Sequence, residues 1–142
     1  VAKSLAWNLI DDNIKKKWLL YFNDTKCQGL HIHCPDAGIS KDGPSAGAAI
    51  TTAIYSLLTK TYIKSNIGIT GEINLNGEIT AIGGLNHKIN GGIKAGITTF
   101  LFPKTNHRDF IEWKKKSNDE STKIITFIEI SNIKDVFQHV FV

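Results

Sequence analysis

The stretch that decides the fold class is IGITGEINLNGEITAI, residues 67–82. Its two runs, Ile67 to Ile73 and Glu78 to Ile82, are rich in isoleucine and threonine and predict two strands. The Asn76-Gly77 pair between them predicts a tight hairpin in which both turn residues take positive φ. The rest of the chain alternates helices and strands. One antiparallel hairpin in such a chain predicts an α+β fold, a two-layer sandwich built on a mixed sheet.

The pattern of apolar residues extends this prediction along the chain. Helical spacing predicts helices over residues 1–10, 44–59, 85–94, 109–115 and 133–140. Alternating or short apolar runs predict strands over residues 30–34, 98–102 and 124–130. The stretch that follows residue 10 and runs through Phe22 fits either a continuation of the first helix or a break in it. Ser131 is a candidate cap for the last helix. The helix at 44–59 carries many small residues, which predicts close packing against another element.

The composition indicates one globular domain over residues 1–142. Hydrophobic residues make up 42% and charged residues 21%, which argues against disorder. No apolar run approaches the roughly 20 residues that span a bilayer, and Val1 opens no signal-peptide pattern, so we expect no membrane partner. The sequence holds no Met, and Val1 starts partway into a helical pattern. We therefore expect a fragment of a longer chain.

The formal net charge is +4, and all but one of the 17 basic residues are lysines. The clusters 15–17 and 114–116 lie far apart and beside acidic residues, so a solvated surface fits them better than a patch that binds nucleic-acid phosphates. Cys27 and Cys34 match no metal spacing and are too few for an extracellular disulfide framework. The sequence thus predicts a reducing, intracellular setting and no metal site.

The heptapeptide KDGPSAG, residues 41–47, carries the first candidate for chemistry. Pro44 predicts a helix start, because the first helical position does not need the N–H that proline lacks. Ser45 would then lie on a sharp elbow, beside unpaired backbone N–H groups and the positive end of the helix dipole. A serine there could act as a nucleophile, and the N–H groups could hold an oxyanion. A helix-start serine without any chemical role fits the same local pattern.

A serine nucleophile needs a base, and none of the five histidines forms a recognisable Ser-His-Asp pattern with Ser45. His31 and His33 share one face of a predicted strand. They fit a structural pair better than two metal ligands that await a third.

Lys88 is the other candidate base. It follows the Gly83-Gly84 turn and lies between Leu85 and Ile89 on a predicted helix. A lysine in an apolar pocket can become a neutral amine able to accept a serine proton. A surface lysine whose stem covers apolar side chains fits the same pattern.

Three motifs together resemble one known family. The heptapeptide at 41–47, then Thr70-Gly71-Glu72-Ile73, then Ile82-Gly83-Gly84-Leu85 with Lys88, are similar to the proteolytic domain of Lon, the ATP-dependent protease. The match continues after Leu101-Phe102-Pro103 into Lys104-Thr105-Asn106. The 43 residues from Ser45 to Lys88 agree with the family without a gap. The resemblance implies a fold similar to the ribosomal protein S5 domain 2-like fold.

The resemblance also implies roles for single residues. Ser45 falls on the nucleophile and Lys88 on the general base of a Ser-Lys dyad, and Thr70 falls on a threonine that orients the lysine amine. Asp42, and with it Gly43, falls beside the nucleophile, where the family switches between open and occluded sites.

Other positions match less specific features of the family or depart from it. His31 and His33 match a strand histidine pair, and Gly71 and Glu72 match the strand end beside the dyad. The chain departs from the family at Ser40, where proline is usual, and at Asn86-His87, where Lys-Glu is usual.

For the whole protein the resemblance implies a serine endopeptidase that degrades unfolded or misfolded polypeptides in a homohexameric ring, in the cytoplasm or an organelle matrix such as the mitochondrial one. It also implies an upstream AAA+ module that uses ATP and Mg²⁺, whereas this chain holds no Gly-x-x-x-x-Gly-Lys-Ser/Thr phosphate loop and is expected to need no cofactor. Two alternatives stay open: a catalytically silent, ring-forming scaffold, and a nucleic-acid-binding domain of related shape.

Overall fold

The computed structural model describes residues 1–26, 29–33, 43–117 and 124–142. Its helices are α1 (Ala2–Leu9), α2 (Asp12–Thr25), α3 (Gly47–Thr59), α4 (Leu85–Lys94), α5 (His107–Lys116) and α6 (Ile133–Val140), with a 3-10 turn at Lys104–Asn106. Its strands are β1 (Ile67–Ile69), β2 (Glu72–Ile73), β3 (Ile79–Thr80), β4 (Thr99–Pro103) and β5 (Thr126–Ile130). Within these ranges no helix is both long and apolar enough to cross a bilayer.

The strands form two separate sheets. β1, β4 and β5 pair in that order and in parallel, with Ile67 opposite Thr99 and Thr99 opposite Thr126. Parallel neighbours need crossover connections, and α4 and α5 provide them. β2 and β3 pair antiparallel in their own hairpin. The mixed α/β class agrees with the prediction, but the described strands do not join into the single mixed sheet expected from the sequence.

The hairpin turn differs from its prediction at Asn76. Gly77 has φ +82°, whereas Asn76 is not among the residues with positive φ, so the expectation for Asn76 is wrong. The Asn74 side chain explains the difference, because its Oδ1 accepts from the N–H groups of Asn76 and Glu78 at 2.9 and 3.0 Å. This side chain organises the turn locally, so only the glycine needs the left-handed conformation.

The helix boundaries agree with the predicted bounds at some positions and differ from them at others. α4 and α6 have the predicted bounds, whereas α3 begins at Gly47 rather than at Pro44. The cap of α6 is Asn132 and not Ser131: its side chain accepts from the Lys134 N–H, and Asp135 completes a reciprocal capping box. Asp11 caps α2 after an extended Ile10, so the first helix breaks there.

The strand predicted over residues 30–34 is not found in the described part of that segment. Residues 29–33 adopt no regular structure, and Cys34 lies outside the described residues. Ile32, which should have been buried as the apolar position of the strand, is 52% exposed. A strand needs a ladder partner, and no described strand pairs with this segment.

The buried side chains form two clusters. The first joins α1, α3, the hairpin, the sheet and α6, and consists of Leu5, Ala48, Ile73, Ile79, Leu101, Ile130, Ile133, Val136 and Val140. The second fills the space between the sheet, α4 and α5, and consists of Ile82, Leu85, Ile89, Phe100, Phe102 and Trp113. The segments that carry Ser45 and Lys88 are thus each attached to a core.

Gly71, between β1 and β2, allows a close approach that can be tested. A Cβ there would lie 2.5 Å from Ile79 Cγ2, whereas a Cβ at Gly91 in α4 would meet nothing within 4 Å. We expect Gly71→Ala to lower the free energy of unfolding by about 1–3 kcal/mol, through overpacking. The control Gly91→Ala should raise it by about 0.4–1 kcal/mol, because alanine restricts the unfolded chain. Urea unfolding measures both, and equal stabilities would contradict the described packing.

Candidate active site

Ser45 lies on a turn that leads into α3. Gly43 has φ +83°, a conformation that favours glycine, and Pro44 follows it. Ser45 and Ala46 form the turn, and the Gly47 N–H donates to the Pro44 carbonyl at 3.0 Å. The Ser45 side chain is half-buried and lies at the end of this elbow rather than within the first helical turn.

The junction between β1 and β2 holds this turn in place. The Gly71 N–H donates to the Ser45 carbonyl at 2.8 Å, and the Thr70 hydroxyl donates to the same oxygen at 3.3 Å. The Ala48 N–H donates to the Gly71 carbonyl at 3.0 Å. The backbone that follows the Ser45 side chain is therefore bound to this junction at two points, the Ser45 carbonyl and the Ala48 N–H.

Gly47 permits that attachment. A Cβ at Gly47 would lie 2.9 Å from Ile73 Cγ2 and 3.2 Å from the Ile73 nitrogen. The small residues predicted to line this helix are thus needed at its first turn, where α3 meets β2. Ala53, farther along the helix, is exposed and has no such role.

Lys88 reaches Ser45 from α4. The helix starts after Gly84, whose φ is +67°, and the Lys88 N–H donates to the Gly84 carbonyl at 3.2 Å. Leu85 and Ile89 are buried in the second core cluster and fix the orientation of the helix. Lys88 is half-buried, and its Nζ donates to Ser45 Oγ at 3.1 Å.

Two pockets flank this contact, and both include Ser45 and Lys88 in their walls. The β1 pocket, of about 370 Å³, is also lined by small and apolar residues, among them Gly68, Gly92 and Phe100. The Glu72 pocket, of about 310 Å³, is also lined by Gly43, Pro44, Glu72, Ala81, Ile82 and Gly83. The Ser45–Lys88 pair therefore lies where an extended ligand could pass with room on either side.

The residues predicted from the sequence are not all brought together. Ser45, Lys88 and Thr70 line the β1 pocket, and Gly43 and Glu72 join Ser45 and Lys88 in the Glu72 pocket.

The histidine pair stands apart. His31 and His33 are exposed and line neither pocket. Asp42 lies outside the described residues.

Thr70 differs from its expected geometry. Its hydroxyl was expected to bond the Lys88 amine, but the bond described for it goes to the Ser45 carbonyl. Because the turn brings that carbonyl to the strand end, the Thr70 hydroxyl bonds the backbone of the candidate nucleophile.

Two backbone N–H groups of the Ser45 turn have no backbone acceptor within the described part of the chain. Those of Gly47 and Ala48 are already donated to Pro44 and Gly71. For Ser45 and Ala46, no backbone acceptor occurs among the described residues. These two groups are therefore available to bind an oxygen atom that gains negative charge beside Ser45.

Asn106 is a residue near the site to which sequence reasoning gave no role. Its side chain is buried and bonds both backbone groups of Ile82, which lines the Glu72 pocket. The sequence signal was weak, because Asn106 is one of six consecutive polar residues, 104–109, that follow the apolar strand TFLFP.

An amine and a hydroxyl in contact, held by separate elements beside two pockets, define a site suited to acyl transfer by a lysine-activated serine. Residues 4–142 match the family Lon protease (S16) C-terminal proteolytic domain. The chain belongs to this family, as the motifs in its sequence indicated.

Curated relatives agree with the family. Lon protease of Aster yellows witches'-broom phytoplasma is 44% identical over 113 residues, which are 80% of this chain and 14% of that protein. Lon protease of Mycoplasma mobile is 40% identical over 126 residues, 89% of this chain and 14% of the relative. Lon protease 1 of Bacillus subtilis is 42% identical over 113 residues, which are 80% of this chain and 14% of that protein. The chain thus matches about one-seventh of each relative's length.

Proposed function

We propose that this chain is a serine endopeptidase domain in which Ser45 is the nucleophile and Lys88 the general base. The observation that carries the proposal is the 3.1 Å contact between Lys88 Nζ and Ser45 Oγ, which joins residues 43 positions apart. A contact of this length is within the range for direct proton transfer. Membership of a protease family supports the same chemistry.

In the proposed reaction, the neutral Lys88 amine takes the Ser45 proton while Oγ forms a bond to the scissile carbonyl carbon. The tetrahedral intermediate then breaks its C–N bond, and the Lys88 ammonium donates its proton to the leaving amine. A water molecule next attacks the acyl ester. Lys88 takes the proton from this water and returns it to Ser45 as the ester bond breaks.

The backbone would stabilise the charge that develops. The N–H groups of Ser45 and Ala46 are available on the turn, and hydrogen bonds to an oxyanion are stronger than bonds to the neutral carbonyl. The Gly71 and Thr70 bonds fix the Ser45 carbonyl and with it the turn that carries these donors. The β1 and Glu72 pockets would receive the substrate residues on either side of the scissile bond.

The setting of this reaction belongs to the proposal too. Unfolded or misfolded polypeptides would be the substrates, a homohexameric ring would enclose the sites, and an AAA+ module that uses ATP and Mg²⁺ would feed them. The chain would act in the cytoplasm or in an organelle matrix. These statements rest on the family, since the chain corresponds to about 14% of the relatives' length.

Two other functions receive less support. A silent scaffold does not require Lys88 Nζ to contact Ser45 Oγ beside two open pockets. A nucleic-acid-binding domain would be expected to show a basic surface interleaved with aromatic residues, and the β1 pocket is lined mainly by small and apolar residues instead.

A serine-directed phosphonate probe tests the proposal directly. We expect it to label Ser45 in the complete polypeptide, as read by peptide mass spectrometry, and to stop peptide hydrolysis. Ser131 is exposed and forms its described contacts through the backbone, so Ser131→Ala provides a matched control that should label normally. Absence of label at Ser45, with the wild-type chain folded, would refute the enzyme and favour the scaffold.

Thr70→Val should lower turnover of a short peptide by about 10- to 100-fold, the usual effect of losing a group that positions the reacting atoms. Valine keeps the branched shape of the buried side chain but removes the donor to the Ser45 carbonyl. Steady-state peptidase kinetics measure the effect. Thr126→Val, at an exposed position of β5, should leave turnover unchanged. Turnover of the Thr70 variant within about threefold of wild type would show that this bond is dispensable.

A further inference from the structure

Asn106 ends the 3-10 turn that follows β4, and its side chain is only 2% exposed. Its Oδ1 accepts from the Ile82 N–H at 3.0 Å, and its Nδ2 donates to the Ile82 carbonyl at 2.9 Å. Nδ2 also donates to Asp109 Oδ2 at 2.7 Å, on the first turn of α5. One amide therefore pairs with both backbone groups of a single distant residue, as a strand neighbour would.

The residue that Asn106 holds is located where the chain leaves the hairpin for α4. Ile82 is followed by Gly83 and by Gly84, the left-handed residue before the helix. Two glycines in succession restrict the backbone weakly, so they do not by themselves set the direction of the helix. Lys88 lies one turn into α4, and its N–H bonds the Gly84 carbonyl. A shift of Ile82 would consequently move the start of the helix that carries Lys88.

The side chain of Ile82 also links this turn to α4 and α5. Its side chain packs in the second core cluster with Leu85 and Trp113, and Ile82 and Gly83 line the Glu72 pocket with Ser45 and Lys88. The Trp113 Nε1–H donates to Asn90 Oδ1 at 3.0 Å, which links α5 to α4 farther along. The segments that precede α4 and α5 are thus joined by the Ile82–Asn106 pair next to the site, and the two helices themselves by the Trp113–Asn90 bond farther along.

We propose that Asn106 is a positioning residue for Lys88: it fixes the Ile82–Gly84 turn and thereby sets the distance from Lys88 Nζ to Ser45 Oγ. This inference rests on the proposed Ser-Lys chemistry. Asn106 touches no reacting atom, so its removal should slow attack by Ser45 more than it weakens peptide binding.

The test compares variants in the complete polypeptide, at a temperature where each is fully folded. Asn106→Ala should lower both kcat for a short peptide and the rate of phosphonate labelling at Ser45 by about 10- to 100-fold, because displacements near 1 Å cost that much. KM should change by less than about threefold. Val136→Ala and Val140→Ala, which truncate side chains of the first core cluster, are the candidate controls. The control used is the one whose loss in Tm matches that of Asn106→Ala. Its kcat and its labelling rate should stay within about threefold of wild type.

Asn106→Asp keeps the test decisive if the alanine variant does not fold. It has the same shape and keeps an acceptor for the Ile82 N–H, but it places an oxygen against the Ile82 carbonyl and against Asp109. We expect its labelling rate to fall as well.

The outcomes separate this inference from the function on which it rests. Labelling by Asn106→Ala at the rate of the matched core control, or by Asn106→Asp at the wild-type rate, would overturn the positioning role alone. A folded wild-type protein that is not labelled at Ser45 would overturn the proposed enzyme as well.

Discussion

Ser45→Ala should reduce peptide hydrolysis by at least about 10³-fold, because removing the nucleophile of a serine peptidase removes the acyl-enzyme route altogether. The fold should persist, since the Ser45 side chain is half-buried at the end of a turn and the bonds that hold this turn go to the Ser45 carbonyl. We expect the free energy of unfolding to change by less than about 0.5 kcal/mol. Initial rates with a fluorogenic peptide and a thermal melt measure the two effects.

The control for this variant is again Ser131→Ala, which should hydrolyse the peptide at the wild-type rate. Residual activity in Ser45→Ala above about 1% of wild type would be far more than binding and oxyanion stabilisation alone provide. In that case another residue would have to be the nucleophile, and the Ser-Lys assignment would be wrong.

Lys88→Arg should abolish activity to a similar extent although it keeps the positive charge. A guanidinium stays protonated in proteins and cannot accept the Ser45 proton. Lys94→Arg, at the exposed last residue of the same helix, is the matched control and should be fully active. Peptide hydrolysis and phosphonate labelling of Ser45 measure both variants. An active Lys88→Arg protein would mean that some other group takes the serine proton.

Lys88→Met separates the catalytic cost of losing the base from any structural cost. It too should be inactive, yet it should melt at the same or a higher temperature, because a half-buried apolar site no longer has to accommodate an amine. A large loss of stability in this variant would instead indicate that Lys88 supports the fold, and the silent-scaffold alternative would gain support.

The sequence predicted helix bounds and turn conformation well where the spacing of apolar residues and the local side-chain chemistry agree. The bounds of α4 and α6 follow from apolar residues at helical spacing, and the same residues form their buried faces. Gly77, which takes the positive φ predicted for it, is a further case in which one residue determines the local backbone. Such features depend on a few neighbouring side chains, so they can be predicted without knowing the rest of the fold.

The wrong predictions share a different origin. Ser131 and Asn132 are both capping residues, and the reciprocal bonds with Asp135 decide in favour of Asn132. Residues 30–33 alternate as a strand does, but no described strand pairs with them. A cap needs a polar side chain that can return its hydrogen bond, and a strand needs a neighbouring strand. Residue spacing alone does not show whether either partner is present.

The candidate site was predictable only in part for the same reason. Local reasoning offered Lys88 as a candidate base for Ser45 but left a surface lysine equally open, and the family resemblance favoured the pair across 43 residues. Thr70 lines the β1 pocket with Ser45 and Lys88, but its hydroxyl bonds the Ser45 carbonyl. Asn106 received no role because its partner, Ile82, is 24 residues away in the sequence.

The attachment of the Ser45 turn to the junction after β1 has a consequence for the order of folding. Lys88 lies on the crossover between β1 and β4, so its contact with Ser45 requires that this parallel pair, whose strands are distant in sequence, has formed. On the proposed mechanism, Ser45 is an ordinary hydroxyl until that crossover has packed. A newly made chain would therefore hold no reactive serine while its own loops are open to cleavage. Its peptidase activity would arise only together with a folded structure that resists proteolysis.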